Sequence, residues 1–253
     1  MKTIPVIIPY FKAEKEITKC LSALEQQSYK PIEIFVRDNS SDNILFTAAV
    51  NEGLKKYGYS DKYDYVLILN QDAYVQRDTL SNLVECMERN PLCGIACPLQ
   101  ISHHNGLVYW GGSLEAFPFG RHLCRAVDSY QDDFETYWAN GAAMLLRTSM
   151  VREIGLLDKN MRFICSDSDY SFTARSRGWN VIVSVKSRLK HSTGSSAASA
   201  ADDFINQVKL KDTLYFANKW LTGDLYKQLS LEGRQLSDID VRSIVEQIKS
   251  NIK

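Results

Sequence analysis

Over the first hundred residues, short apolar runs take turns with amphipathic stretches, and few folds tolerate that rhythm. Residues 5–10, "PVIIPY", form an apolar run bounded by prolines. Residues 14–27 then place Ile17, Cys20, Leu21 and Leu24 at helical spacing. Residues 32–38, "IEIFVRD", read as a strand, 44–58 as a helix stopped by Gly58, and 63–70 as a third strand. A third helix spans 77–90, with Leu80, Leu83, Val84 and Met87 on one face and Pro91 just beyond. A fourth strand follows at 94–101. Strands that alternate with helices predict an α/β fold with a mostly parallel sheet covered on both faces.

After residue 101 the rhythm changes. Asn105-Gly106 lies between two strand-like runs, the signal of a hairpin. Residues 141–148 read as a strand, 149–155 as a short helix, 167–179 as a helix closed by Gly178, and 180–185 as a strand. The small, polar stretch 190–203 reads as a loop able to act as a lid. The remainder is helical, and its last segment carries Val241, Ile244, Val245 and Ile248 on one stripe. Packing of that stripe on the body outweighs a dimer contact or a membrane-surface role, because its other face is not strongly basic. The expected organisation is a first half at 1–101, a second half of the same domain at 102–220, and a helical extension at 221–253.

Lysine plus arginine and aspartate plus glutamate balance at 30 each, so no basic excess points to nucleic acid. No stretch reaches the ~20 apolar residues of a membrane span, and residues 1–16 lack the form of a signal peptide. The six cysteines form no CxxC pair. They read as reduced, mostly core thiols of a cytoplasmic protein.

In an open α/β sheet, ligands lie beyond the carboxyl ends of the strands. The first three strands end at Pro9-Tyr10-Phe11, at Asp38-Asn39-Ser40-Ser41-Asp42, and at Asn70-Gln71-Asp72. No GxGxxG or GxxxxGK[ST] follows a strand, which removes the main support for a dinucleotide fold or a P-loop. A bound diphosphate would then need another counter-charge, and a Mg2+ held by one carboxylate supplies it. Asp72 fits that task. It equally fits a turn or helix cap, and only Asp38 at the neighbouring strand end tips the balance.

The stretch "IPVIIPYFKAEKEITKCLSALEQQSYKPIEIFVRDNSSDN" resembles the opening of family 2 glycosyltransferases. So do "WANGAAMLLRTSMVREIGLLD" and "FICSDSDYSFTARSRGW", in order and at the family's spacing, from about residue 3 to 220. The resemblance implies a GT-A fold and an inverting transfer from a nucleotide-sugar donor (UDP-, dTDP- or GDP-linked) to a glycan or lipid-linked acceptor. It implies that Asp38 meets the nucleobase and that Asp72, with His191, binds Mg2+ or Mn2+ at the diphosphate. Asp167 falls on the family's general base. Pro9, Tyr10, Trp138, Asn140 and Asp169 are further candidates for substrate contact. Kinship also suggests surface polysaccharide assembly at the cytoplasmic face of a membrane, as in rhamnosyl- and galactosyl-type transferases.

Two positions depart from the family pattern. Asn70 replaces the first Asp of the DxD motif, and Ser166 replaces the Glu before the base. Asn70 can still bond the neutral ribose hydroxyls. Ser166 and Asp169 also read as a helix start, with Ser166 as cap. These departures motivate the alternative of an inactive relative that binds nucleotide or glycan. Gly111-Gly112 reads either as a close backbone approach for a sugar or as a tight turn. Gln71 receives no role.

Overall fold

A computed structural model describes residues 2–102, 105–113, 122–192 and 203–221. Its nine strands form one sheet. They are β1 (Ile4–Tyr10), β2 (Ile32–Asp38), β3 (Tyr65–Leu69), β4 (Ala73–Val75), β5 (Cys93–Ser102), β6 (Val108–Trp110), β7 (Phe134–Glu135), β8 (Ala143–Arg147) and β9 (Asn180–His191). The helices are α1 (Glu14–Glu25), α2 (Leu45–Tyr57), α3 (Thr79–Arg89), α4 (Thr148–Ile154), α5 (Ser166–Ser176) and α6 (Asp203–Phe216).

The order across the sheet is β2-β1-β3-β8-β5-β9-β4, with β6 added to β5 and β7 to β9. β1, β2, β3, β5 and β9 run the same way, which bears out the mostly parallel sheet. β8 runs against both neighbours, between β3 and β5. Sequence alternation would have set β3 and β5 side by side. The strand that separates them comes from the second half of the chain.

The sheet buries both faces, which explains why β3 reads as an unbroken apolar run. Ile4, Val6, Ile8, Leu67 and Leu145 pack with Cys20 and Leu24 of α1 and with Leu80, Leu83 and Met87 of α3. The opposite face carries Ile7, Val66, Ile68, Met144 and Leu146. It meets Val50 and Leu54 of α2, Met150 and Val151 of α4, and Tyr170 and Phe172 of α5. Side chains that alternate along each strand thus sort into two cores. Each fully buried Leu or Ile adds roughly 1.5–3 kcal/mol of gross stabilisation. β2 lies at the sheet's end, and Ile34 and Val36 there remain exposed.

The Asn105-Gly106 hairpin forms as expected, joining β5 to β6, with Gly106 at φ 71°. Gly111 and Gly112 do not leave room for a sugar. A Cβ on Gly111 would fall 2.3 Å from the Tyr130 hydroxyl, and Gly112, at φ 111°, faces the Phe134 ring. Both glycines admit aromatic rings of the protein itself. β4 was not anticipated, and β9 runs six residues beyond the expected end at 185, to His191. Its outer half pairs with β4 and β5, contacts that sequence alternation cannot reveal. Residues 193–202 of the expected loop, and 222–253 of the expected extension with its apolar stripe, lie outside the described residues. Five of the six cysteines are buried and all six are free thiols. Among the described residues no helix is long and apolar enough to cross a membrane.

Candidate active site

The polar tip of β3 is fixed by its neighbours on both sides. Asn70 N–H donates to the Ala142 carbonyl at 2.9 Å, and the Asn70 carbonyl closes the turn by accepting from Ala73 N–H at 3.1 Å. Gln71 clamps the end of β1: its Oε1 accepts from Phe11 N–H at 2.8 Å, and its Nε2 donates to the Phe11 carbonyl at 3.4 Å. The middle residue of the motif therefore ties two strand tips together. Asp72 follows, buried to 6% exposure.

The register of β4 on β9 then brings in His191. Ala73 pairs with His191, and Ser192 N–H donates to the Asp72 carbonyl at 3.1 Å. His191 Nε2 stands 3.2 Å from Asp72 Oδ1. Two residues 119 apart in sequence thus form one donor pair.

Asp167 reaches the same place from the other side. It sits in the first turn of α5, just after Cys165, whose φ of 64° turns the chain sharply into the helix. No side chain caps that helix, so Ser166 is not the cap expected from sequence; Cys165 holds that position through its backbone. Asp167 Oδ2 accepts from Gly141 N–H at 2.7 Å and Oδ1 accepts from Ser168 N–H at 2.8 Å. Burial raises its carboxyl above the ordinary value, and those two N–H groups pull against the rise. Gly141 and Ala142 are adjacent: one bonds Asp167, the other bonds the tip of β3. The antiparallel strand β8 therefore begins as a bridge between the two carboxylates.

Gly141 leaves little space there. A Cβ would fall 3.1 Å from Asp167 Oδ2 and 3.3 Å from its Cβ. Gly141→Ala should displace the carboxylate by a few tenths of an ångström and slow turnover about tenfold, since misplacements of this order are costly to catalysis. Steady-state rates at unchanged nucleotide affinity would check this.

Asp72 and Asp167 face a cleft of about 640 Å³. Pro9, Asn70, Asp72, Trp138, Asn140 and Asp167 line it, as does Gln71. Trp138 is a wall residue: only 3% exposed, its ring packs on Trp110 and edge-on to His122. Asn140 Oδ1 caps Ala142 N–H at 3.0 Å.

Tyr10, Asp38, Asp169 and His191 do not line the cleft, His191 reaching it only through its contact with Asp72. Asp38 turns outward, where its Oδ1 accepts from Ser40 N–H at 2.8 Å, and hydrogen bonds from Ser40 hold its carboxyl below the usual range. Its neighbour Asn39 faces inward instead. Asn39 is 3% exposed, and its Oδ1 is buried with no partner among the described residues. Asp169 is enclosed on the far side of α5. Its Oδ1 accepts from Trp220 Nε1 at 2.7 Å and meets Lys219 Nζ at 2.7 Å. It anchors the last described turn of the chain rather than a substrate. Asn39 and His122 were not singled out from sequence. Asn39 stood inside the quoted strand end, so the signal was present there; His122 carried none.

Asp72 and His191 suit a divalent cation in donor type and spacing. Ligands at neighbouring corners of an octahedron, each about 2.1 Å from the ion, stand about 3.0 Å apart. The observed gap is 3.2 Å. One imidazole with one carboxylate favours Mn2+ over Mg2+, whose preference is for oxygen alone. Among the described residues no group of three or more His, Cys, Asp or Glu side chains is placed to hold a metal ion. The other positions would fall to diphosphate oxygens and water.

A sheet of this topology, with a cleft across its strand tips, has the architecture of the GT-A fold. The chain belongs to glycosyl transferase family 21, whose description matches residues 49–206, and it is of the family 2 type, with glycosyl transferase family 2 matching residues 6–48. Among curated proteins there is no match. Solved structures resemble it in fold at low identity. S. aureus TarS is 12% identical with a TM-score of 0.56, covering 100% of this chain and 43% of that one. GalNAc-T7 with UDP, GalNAc and Mn2+ is 11% identical with a TM-score of 0.62, covering 100% and 56%. S. aureus TarS 1-349 in complex with UDP is 14% identical with a TM-score of 0.56, covering 98% and 71%. The chain thus spans about half the length of the first two.

Proposed function

We propose that the protein transfers a sugar, with inversion, from a nucleotide-diphosphate donor to a hydroxyl of a glycan or lipid-linked acceptor. The observation that carries this reading is the bridge through Gly141 and Ala142, with Asp167 and Asp72 lining one cleft and His191 beside Asp72 at its edge. Inversion needs a base and a leaving-group counter-charge on opposite sides of the reacting carbon. Two separate carboxylates from separate elements meet that need.

In this reading the acceptor oxygen bonds to the anomeric carbon as the bond from that carbon to the diphosphate oxygen breaks. The acceptor proton passes to the Asp167 carboxylate. Burial makes Asp167 a stronger base than an ordinary aspartate, and Gly141 and Ser168 keep it aimed. Asp72 and His191 would hold a Mn2+ or Mg2+ ion, which supplies charge stabilisation to the leaving diphosphate. Asn70 would meet the ribose. Leu45, Phe46, Phe163, Ile164 and Ile205 give the cleft an apolar wall for the acceptor. Two of the structures that share the fold hold UDP, and GalNAc-T7 also holds Mn2+, which favours a nucleotide-sugar donor. A lipid-linked acceptor would bring the protein to the cytoplasmic face of a membrane, in surface polysaccharide assembly.

The inward turn of Asn39 moves nucleobase recognition one residue along from Asp38. Asn39→Ala should weaken UDP binding about tenfold, near what one buried hydrogen bond supplies. Asp38→Ala should change it less. Titrations of the two variants decide the matter, and the reverse order returns the role to Asp38.

The activity itself is tested by titrating nucleoside diphosphates with and without Mn2+ and following slow hydrolysis across a panel of nucleotide sugars. Binding with no hydrolysis or transfer from any donor would favour the inactive relative suggested by Asn70 and Ser166.

A further inference from the structure

His191 is held from behind as well as from the front. Its Nδ1 contacts the Tyr109 hydroxyl, which also contacts Gln100 Oε1. Tyr109 lies on β6 and Gln100 on β5, so the hairpin expected at Asn105-Gly106 delivers both to the back of the ring. Gln100 is fully buried, and its Nε2 has no hydrogen-bond partner among the described residues. The Tyr109 phenol is a neutral hydroxyl at physiological pH, as tyrosine ordinarily is.

A neutral hydroxyl has one proton to give, and it lies between two groups. If Tyr109 gives it to Gln100 Oε1, then Tyr109 accepts from His191 Nδ1–H. Neutral His191 then shows a lone pair at Nε2, towards Asp72. If the Gln100 amide turns over, its N–H donates to Tyr109, and Tyr109 donates to Nδ1. His191 then carries its proton on Nε2 and donates it to Asp72 Oδ1, 3.2 Å away. The first arrangement sets two electron-rich atoms face to face and suits a cation between them. The second suits a site without one.

We propose that Tyr109, backed by Gln100, is a positioning residue that sets the His191 tautomer. The row Gln100–Tyr109–His191–Asp72 reverses its hydrogen-bond direction when a divalent cation arrives with the diphosphate. No net proton is gained or lost. Tyrosine fits because its hydroxyl both gives and accepts, and glutamine fits because its amide offers either group to the same partner by turning over. The unpartnered end of the Gln100 amide is the cost of keeping both arrangements open. This inference rests on the metal role given above to Asp72 and His191.

The test is 15N NMR of the His191 ring, assigned with His191→Gln, in protein labelled at histidine. Without metal the ring should show the Nε2–H tautomer; with Mg2+ and UDP it should show Nδ1–H. In Tyr109→Phe the metal-free ring should lose its single-tautomer signature. The Kd for Mn2+ in the presence of UDP should rise about 10- to 100-fold, the usual cost of losing a partner behind a metal-bound histidine. UDP affinity without metal should hold. Gln100→Leu removes the acceptor behind Tyr109 and leaves its hydroxyl to donate to Nδ1, so the ring should keep Nε2–H without metal, shift less fully to Nδ1–H with Mg2+ and UDP, and bind Mn2+ more weakly; this second variant guards against misfolding of the first. Unchanged ring shifts and Mn2+ affinity in both variants would overturn the proposal. A wild-type protein whose UDP binding ignores Mn2+ would remove the metal reading, and the reversal with it. Ring shifts of the metal-free variants would still separate that failure from a failure of the Tyr109 role.

Discussion

Asp167→Asn should leave UDP binding at wild-type strength and cut turnover about 10²–10⁴-fold, the share a general base commonly supplies. The amide keeps the shape of the carboxylate and can still accept one of the bonds from Gly141 and Ser168 N–H. It cannot take the acceptor's proton. The pH–rate profile adds a second signature. Because burial raises the Asp167 carboxyl above the ordinary 3.8, its acid limb in kcat/KM lies above the range of an exposed aspartate. Activity is present above that raised pKa and falls as pH drops through it, because the base becomes protonated. In Asp167→Asn the residual rate should lose this limb. Near-normal turnover would place the base elsewhere. Asp169 is a poor substitute, since it is enclosed by Trp220 and Lys219.

The second large effect is expected at the tip of β3. Asp72→Ala should abolish the Mn2+-dependent part of UDP affinity and leave the metal-independent part. In the proposed site Asp72 would be the anionic half of a two-residue donor set, so its loss would leave one imidazole, which holds an ion weakly. Asn70 cannot replace it. A family DxD motif has two carboxylates, and here one of the positions is neutral. The comparison is direct: UDP titrated into wild type and variant, with Mn2+ or with a chelator. Equal Mn2+ dependence in both proteins would sink the metal assignment.

Much of this site could be read from the sequence, because strand ends and helix starts are local features. The apolar runs around Ile7 and Leu67 and the polar residues that end them sit where periodicity sets them. The Asp72–His191 pair was expected from resemblance. Its geometry was not, because it depends on three residues of β4 pairing with the far end of β9. Strands that short carry no period of their own. Asp38 was misplaced relative to the cleft for a similar reason. Sequence spacing marks where a strand ends, but Ser40 N–H decides which of Asp38 and Asn39 turns inward. Asp169 looked like part of a capping box. Its partners Trp220 and Lys219 lie about fifty residues further on, beyond any local pattern.

β8 has a bearing on how the chain assembles. Val66 and Leu146 pair, as do Ile95 and Leu146, so one residue of β8 joins two strands made long before it. A chain grown only to Ser102 holds β3 and β5 with nothing between them, and the sheet is open through its middle. The gap between β3 and β5 therefore closes only when residues 143–147 arrive, and β4 joins the sheet later still, with the end of β9. Those same residues follow directly from the bridge to Asp167. Closing the sheet's middle and setting the backbone that meets Asp167 thus fall to one segment, so the non-local closure that slows folding lies beside the proposed site.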